Sequence, residues 1–360
     1  VFGGRGRQDP LDLTEAIDAA CFGKAWREVV ARHAILRTSF HWRQGGEPEQ
    51  VVHAGAEARL EFSHEEFGSE SEARLGVEEY LARDRRRGFD VATAPLLRVA
   101  LLRGGPDRAW WVATFHHLVL DGRAMVVVFR EAMDLHDAWR AGRSLELPAP
   151  RPYRAYIDWL HAEDWTRAEK FWRRQLAGFA SPTLLPLGRA ANDAPSEEPA
   201  LGEQTVQLPE AATTRLRQAA RRHDVTMNTL MQAAWALLLS RYSGEREVVF
   251  GAVRACRHIP VEGAGSMVGL FINTVPVRVR VDGGATLAAW LPELREQWLA
   301  LRSYEHTPLV KIQQWSEIAP GRALFDTLVN YQEPSWDAAL HALGGNWERR
   351  RFEIRSQPNY

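Results

Sequence analysis

Two adjacent histidines, His116 and His117, close an apolar run and lead into Leu118-Val119-Leu120-Asp121-Gly122. The run before them, Ala109-Trp110-Trp111-Val112-Ala113-Thr114-Phe115, is dense in aromatic and branched side chains and reads as a strand. Side chains alternate along a strand, so Trp111, Ala113, Phe115 and His117 are expected on one face and His116 on the other. At most one imidazole can then face a reaction channel. From Met125 through Val128, Phe129, Ala132, Met133 and Trp139 the apolar positions switch to helical spacing. The chain must therefore turn from strand to helix within a few residues, with titratable groups at the corner.

The rest of the pattern builds two lobes around that corner. Phe22, Trp26, Val29, Val30 and His33 recur at helical spacing and predict a helix ending near Arg32-His33. Leu97 to Arg103 and Trp110 to His116 flank Gly104-Gly105-Pro106-Asp107, which predicts a hairpin. A Pro-rich loop over 148–152 precedes a helix carrying Trp165, Phe171, Trp172 and Leu176. Pro and Gly, with small and acidic residues, concentrate over 181–203 and mark a linker. Beyond it, Thr226 can cap a helix running through Leu230 and Leu237 to Tyr242. Glu247 to Val253 and Thr274 to Val281 then read as strands. The expected organisation is α/β (α+β): a lobe over 1–180 carrying the histidine pair, a linker, and a second lobe over 204–360, each a mixed sheet with flanking helices.

A length of 360 residues suits two core-forming units. The net charge of -1 argues against nucleic acid or an anionic membrane as partner, because either favours a basic surface. Arginine clusters at 83–87 and 349–351 read first as solvated charge beside acidic neighbours, and second as docking sites for an acidic carrier protein. Cys21 and Cys256 form neither a disulfide framework nor a zinc spacing, no apolar run approaches transmembrane length, and the N-terminus lacks a basic-then-apolar order. The expectation is a soluble, cytoplasmic chain. No GxSxG elbow or catalytic-cysteine signature appears either.

His116 to Gly122 resembles the HHxxxDG segment of a superfamily of acyltransferases that use carrier-protein or coenzyme A thioesters. Arg32 to Phe40 looks like an RHxxLRTxF segment, and Tyr153 to Trp159 like YxDYxxW with Ala155 replacing the usual acid. Val268 to Arg278 is similar to VGxFxNTxPxR, and Glu305-His306-Thr307-Pro308-Leu309 to a late segment. In this order they resemble the condensation domains of nonribosomal peptide synthetases over roughly residues 25 to 331. The resemblance implies two chloramphenicol-acetyltransferase-like lobes arranged as a V around a central tunnel. It implies amide formation between a donor acyl or peptidyl thioester and an acceptor aminoacyl thioester. No cofactor would be bound directly, since both substrates ride on phosphopantetheine arms of upstream and downstream peptidyl carrier proteins.

Roles follow from the same resemblance. His117 would take or orient the amine proton, and the Gly122 amide would bond the thioester carbonyl or the developing oxyanion. His116 would help to fix the loop. Asp121 would serve as architecture, paired with Arg278 first and Arg37 second, while Asn273 would line the tunnel or serve the fold. A zinc site at His117 and Asp121 lacks a third ligand at motif spacing. The alternatives are an ester-forming or fatty-acyl starter relative, or an inactive recruitment platform. The family begins with a strand that Val1 to Asp9 does not visibly supply, and it continues past Tyr360, so truncated ends are expected.

Overall fold

The computed structural model describes residues 7–42, 48–55, 58–185, 204–332, 336–344, 346–350 and 352–354. The chain divides into two compact units. The first takes in the described residues of Val1–Glu163, Arg257–Phe271 and Gln332–Tyr360, and the second those of Asp164–Cys256 and Ile272–Tyr331. The units are therefore discontinuous in sequence, and a single cut at 181–203 does not describe them. Most of that expected linker, 186–203, lies outside the described residues.

In the first unit, β1 (Arg7–Leu13) precedes α1 (Ala19–Arg32), then β2 (Thr38–His41) and β3 (Glu49–Val52) pair as a ribbon. β4 (Glu61–Glu66), α2 (Glu70–Arg87), β5 (Leu97–Arg103), β6 (Ala109–Phe115), α3 (Gly122–Arg140) and α4 (Arg154–Ala162) follow. The main sheet has the order Phe352–Ile354, β1, β6, β5, β4. The expected hairpin is present, with β5 antiparallel to β6 and Leu97 opposite Phe115. β1 corrects the expectation of no leading strand. It was hard to see because Pro10 interrupts the strand chemistry. Pro10 pairs with Val112 of β6 but lies beyond Leu11, where the pairing with Phe352–Ile354 ends, so it has a single partner strand.

β5 and β6 are apolar on both faces because both faces are covered. Val99, Leu101, Trp111, Ala113 and Phe115 join the core beneath α1 and α3, whereas Ala100, Leu102, Trp110 and Val112 pack with Ala73, Val77 and Leu81 of α2. Trp111 is stacked between Trp26 of α1, at 5.3 Å between centroids, and Phe129 of α3, at 4.3 Å. This fixes α3 over the strand that delivers the histidines. α2 is highly charged and its pattern does not announce it. Ser69 caps it, and Arg83 and Arg87 near its end pair with Glu65 and Glu61 of β4, so two of the cluster's four arginines are met by carboxylates in place.

The second unit holds α5 (Thr166–Gln175), α6 (Glu210–Arg222), α7 (Met227–Ser243), β7 (Glu247–Arg254), β8 (Asn273–Arg280), α8 (Leu287–Arg302), α9 (Leu309–Trp315) and β9 (Leu328–Val329). Its sheet runs β8, β7, β9, with β7 antiparallel to β8 and parallel to β9. Thr226 caps α7 as its sequence suggests, accepting from the Thr229 amide at 3.1 Å. Among the described residues no helix is long and apolar enough to cross a membrane.

The RHxxLRTxF segment serves packing. At the end of α1, His33 Nε2 lies 2.7 Å from Glu131 Oε2 of α3, and Arg32 Nε donates to the same oxygen at 3.2 Å. Burial opposes ionisation of Glu131, yet the His33 hydrogen bond and the charges of His33, Arg32 and Arg130 outweigh it and hold the carboxyl below its usual range. A carboxylate whose folded pKa is lowered stabilises above its unfolded pKa, and that stability is lost as pH falls through the folded value. Glu131→Gln should therefore cost about 2 kcal/mol at neutral pH. The gap to wild type should narrow as the pH falls below the ordinary carboxylate range, as read by urea unfolding at neutral and at acid pH.

Candidate active site

β6 ends at Phe115, so neither histidine lies on the strand. The expected shared face of Trp111, Ala113 and Phe115 holds, but the chain turns before His117 can join it. His116 is buried and packs edge-on against Phe89 at 6.5 Å, and its Nδ1 accepts from the Leu118 amide at 3.1 Å. His117 is half-buried, with its ring edge-on to Phe115 at 5.5 Å, and its Nδ1 lies 3.0 Å from the Leu120 carbonyl oxygen.

These contacts set opposite tautomers for the neutral rings. An amide can only donate, so His116 Nδ1 carries a lone pair and its proton sits on Nε2. A carbonyl can only accept, so His117 Nδ1 carries the proton and Nε2 the lone pair. Of the two imidazoles, His117 is thus the one poised to take a proton at Nε2. Its tautomer is enforced within four residues of its own sequence.

Asp121 is the N-cap of α3, accepting from the Ala124 amide at 2.7 Å, and Gly122 is the helix's first residue. The first N–H groups of a helix have no intrahelical acceptor and mark the positive end of its dipole. The Gly122 amide belongs to that set, on a half-buried residue five positions from His117. This suits it to an oxygen on which negative charge develops.

The Asp121 carboxylate has partners on both oxygens. Its two oxygens lie 2.8 and 2.9 Å from Nη2 of Arg257, and Oδ2 also accepts from the Phe271 amide at 3.0 Å. Both partners of the ion pair are buried, at 1% side-chain exposure for Asp121 and 4% for Arg257. Nη1 of Arg257 donates to the carbonyls of Ala264 and Met267 at 2.9 and 2.8 Å, and its guanidinium lies over the Phe271 ring at 4.2 Å. Such pairing answers the desolvation of both charges.

This corrects the expected partners. Arg278 belongs to the second unit and donates to the Gln175 and Ala177 carbonyls and to Glu247. Arg37 donates to the Ala31 and His53 carbonyls. Asn273 also lies in the second unit, where its amide donates to the Glu305 and Thr307 carbonyls at 2.9 and 2.7 Å and ties β8 to the Glu305-to-Leu309 segment. Arg257 itself falls outside every motif. With 45 lysines and arginines in the chain, no local signal singles it out.

Removing Arg257 while keeping Asp121 leaves a buried charge without its cation. Arg257→Leu should cost about 3–5 kcal/mol in urea unfolding. Arg278→Leu should cost about 1 kcal/mol, because the groups it leaves sit at a wetter position.

The family profile described as Condensation domain matches residues 8–358. The chain is 40% identical over 318 residues to a linear gramicidin synthase of Brevibacillus parabrevis. That match covers 88% of the chain but only 4% of the relative's length. Among solved structures, the first condensation domain of the calcium-dependent antibiotic synthetase, in complex with a substrate analogue, aligns with a TM-score of 0.77. The match covers 99% of this chain and 80% of that one at 19% identity, which speaks for the fold. The X-domain from teicoplanin biosynthesis aligns with a TM-score of 0.78 at 25% identity, covering 98% and 78%. With the strand-turn-helix corner, the capped helix and the matched profile in place, this chain belongs to the condensation domains of the nonribosomal peptide synthetases, a family of amide-forming acyltransferases.

Proposed function

We propose that the chain joins a donor acyl or peptidyl thioester to the amine of an acceptor aminoacyl thioester, each carried on the phosphopantetheine arm of a peptidyl carrier protein. The setting proposed is a larger cytosolic synthetase. The small share of the gramicidin synthase that the chain spans supports a modular context, and the absence of a disulfide between Cys21 and Cys256 agrees with a reducing compartment.

The observation that carries the reading is the hydrogen bond from His117 Nδ1–H to the Leu120 carbonyl. It leaves Nε2 as the basic nitrogen. In the proposed step the acceptor amine attacks the thioester carbonyl carbon, a C–N bond forms, and the oxygen takes up negative charge. His117 Nε2 accepts the amine proton as the tetrahedral intermediate forms or decays. The oxygen is stabilised by the Gly122 amide at the start of α3. Collapse breaks the C–S bond, and the departing thiolate recovers the proton from the imidazolium. The product amide stays on the acceptor's arm. The thioester is already activated, so no protein nucleophile is required.

Asp121 takes no part in proton transfer in this reading, because its oxygens are committed to Arg257, Ala124 and Phe271. His116 supports the loop from its buried side.

Single-turnover reactions with two loaded carrier proteins, followed by intact-protein mass spectrometry, test the assignment. Wild type should move the donor group to the acceptor arm, and His117→Ala should slow this by about 10²-fold or more. An undiminished rate in the variant would reduce His117 to a structural role. Transfer to hydroxyl acceptors but not to amines would replace the amide reading with an ester-forming one.

A further inference from the structure

We infer that the Tyr153 hydroxyl is a positioning group for the reaction, acting on Asp121 through one peptide bond. The inference rests on the catalytic reading above for its kinetic consequence, though its geometry does not. The Tyr153 hydroxyl donates to the carbonyl of Leu270. The amide of the very same peptide unit, Phe271 N–H, donates to Asp121 Oδ2. The result is a linear relay, O–H to O=C–N–H to carboxylate, spanning Tyr153, the 270–271 peptide and the helix cap. Donation to the carbonyl polarises the amide and strengthens its bond to the carboxylate, because hydrogen bonds in series reinforce one another.

The relay is shielded and tightly seated. Burial drives the Tyr153 hydroxyl well above the usual phenol range, helped by nearby Tyr156 and Asp121, so it remains a protonated donor at any working pH. A Cβ on Gly269 would overlap the Tyr153 ring, so the ring rests directly on the chain just before the relayed peptide. The Phe271 ring closes the other side, edge-on to Tyr153 at 5.5 Å and stacked on Tyr156 at 4.4 Å. Tyr153 thus fixes both the place and the polarity of the 270–271 peptide. That peptide fixes Asp121, and Asp121 sets the first turn of α3, where Gly122 lies. Tyr153 touches neither substrate nor reacting atoms in this scheme.

Tyr153→Phe keeps the ring on Gly269 and deletes only the donor. The expected result is a drop of about 3- to 10-fold in kcat, with KM for both carrier-bound substrates and the pH dependence of kcat unchanged. In an Asp121→Asn background the same change should add little further loss, because the relay's end point has been altered already. Amide hydrogen exchange at Phe271 should speed up about tenfold in Tyr153→Phe, and this readout does not depend on turnover. Wild-type kcat in Tyr153→Phe, or losses from the two substitutions that multiply fully, would overturn the inference. So would unchanged exchange at Phe271. Faster exchange at Phe271 in a protein that shows no condensation at all would uphold the relay while refuting the reaction assigned to the site.

Discussion

A buried carboxylate at the start of a helix organises the first unit. Asp121 cannot remain ionised out of water without donors on every side. It obtains them from three separate stretches of chain: the first turn of α3, Arg257, and the Phe271 amide. Arg257–Phe271 is counted with the first unit although the strands on either side of it, β7 and β8, belong to the second. The bonds of Arg257 and the Phe271 amide to Asp121 are among the contacts that hold this segment in the first unit.

Around that carboxylate, several family segments prove to be scaffolding. Arg32 and His33 hold Glu131 on α3, Tyr153 and Tyr156 hold the chain from Gly269 to Phe271, and Asn273 holds the carbonyls of Glu305 and Thr307. Trp111 adds the apolar part by stacking between α1 and α3. In the proposed reaction, chemistry is left to a very small set of groups, namely one imidazole and one helix-terminal amide. This division suits a reaction whose electrophile arrives activated, where the protein supplies orientation and a place for charge.

The histidine pair shows how finely such a site depends on backbone. His116 and His117 are adjacent and chemically identical, yet one Nδ1 meets an N–H and the other a C=O. A change in which backbone group faces each ring would exchange their tautomers and with them the nitrogen that can accept a proton. The short turn between β6 and α3 is what prevents that exchange.

Much of this was legible in the residues alone. The β5–β6 hairpin, the helix after Asp121, the Thr226 cap and strands β7 and β8 follow from periodicity and turn chemistry, because their causes are local. Strand β1 is not legible in the residues because Pro10 and its polar neighbours have weak strand propensity and are held by pairing. Helix α2 is not legible because its pattern is dominated by charge, part of which is met by β4 through Arg83–Glu65 and Arg87–Glu61. That a strand-turn-helix corner carries His116, His117 and Asp121 follows from residue types and their spacing, since those signals act over a few residues. The pairing of Arg257 with Asp121 and the opposite tautomers of the two histidines emerge only in the folded chain. Those outcomes depend on which of many like charges and backbone groups is brought within hydrogen-bonding distance, and residue spacing carries no information about that.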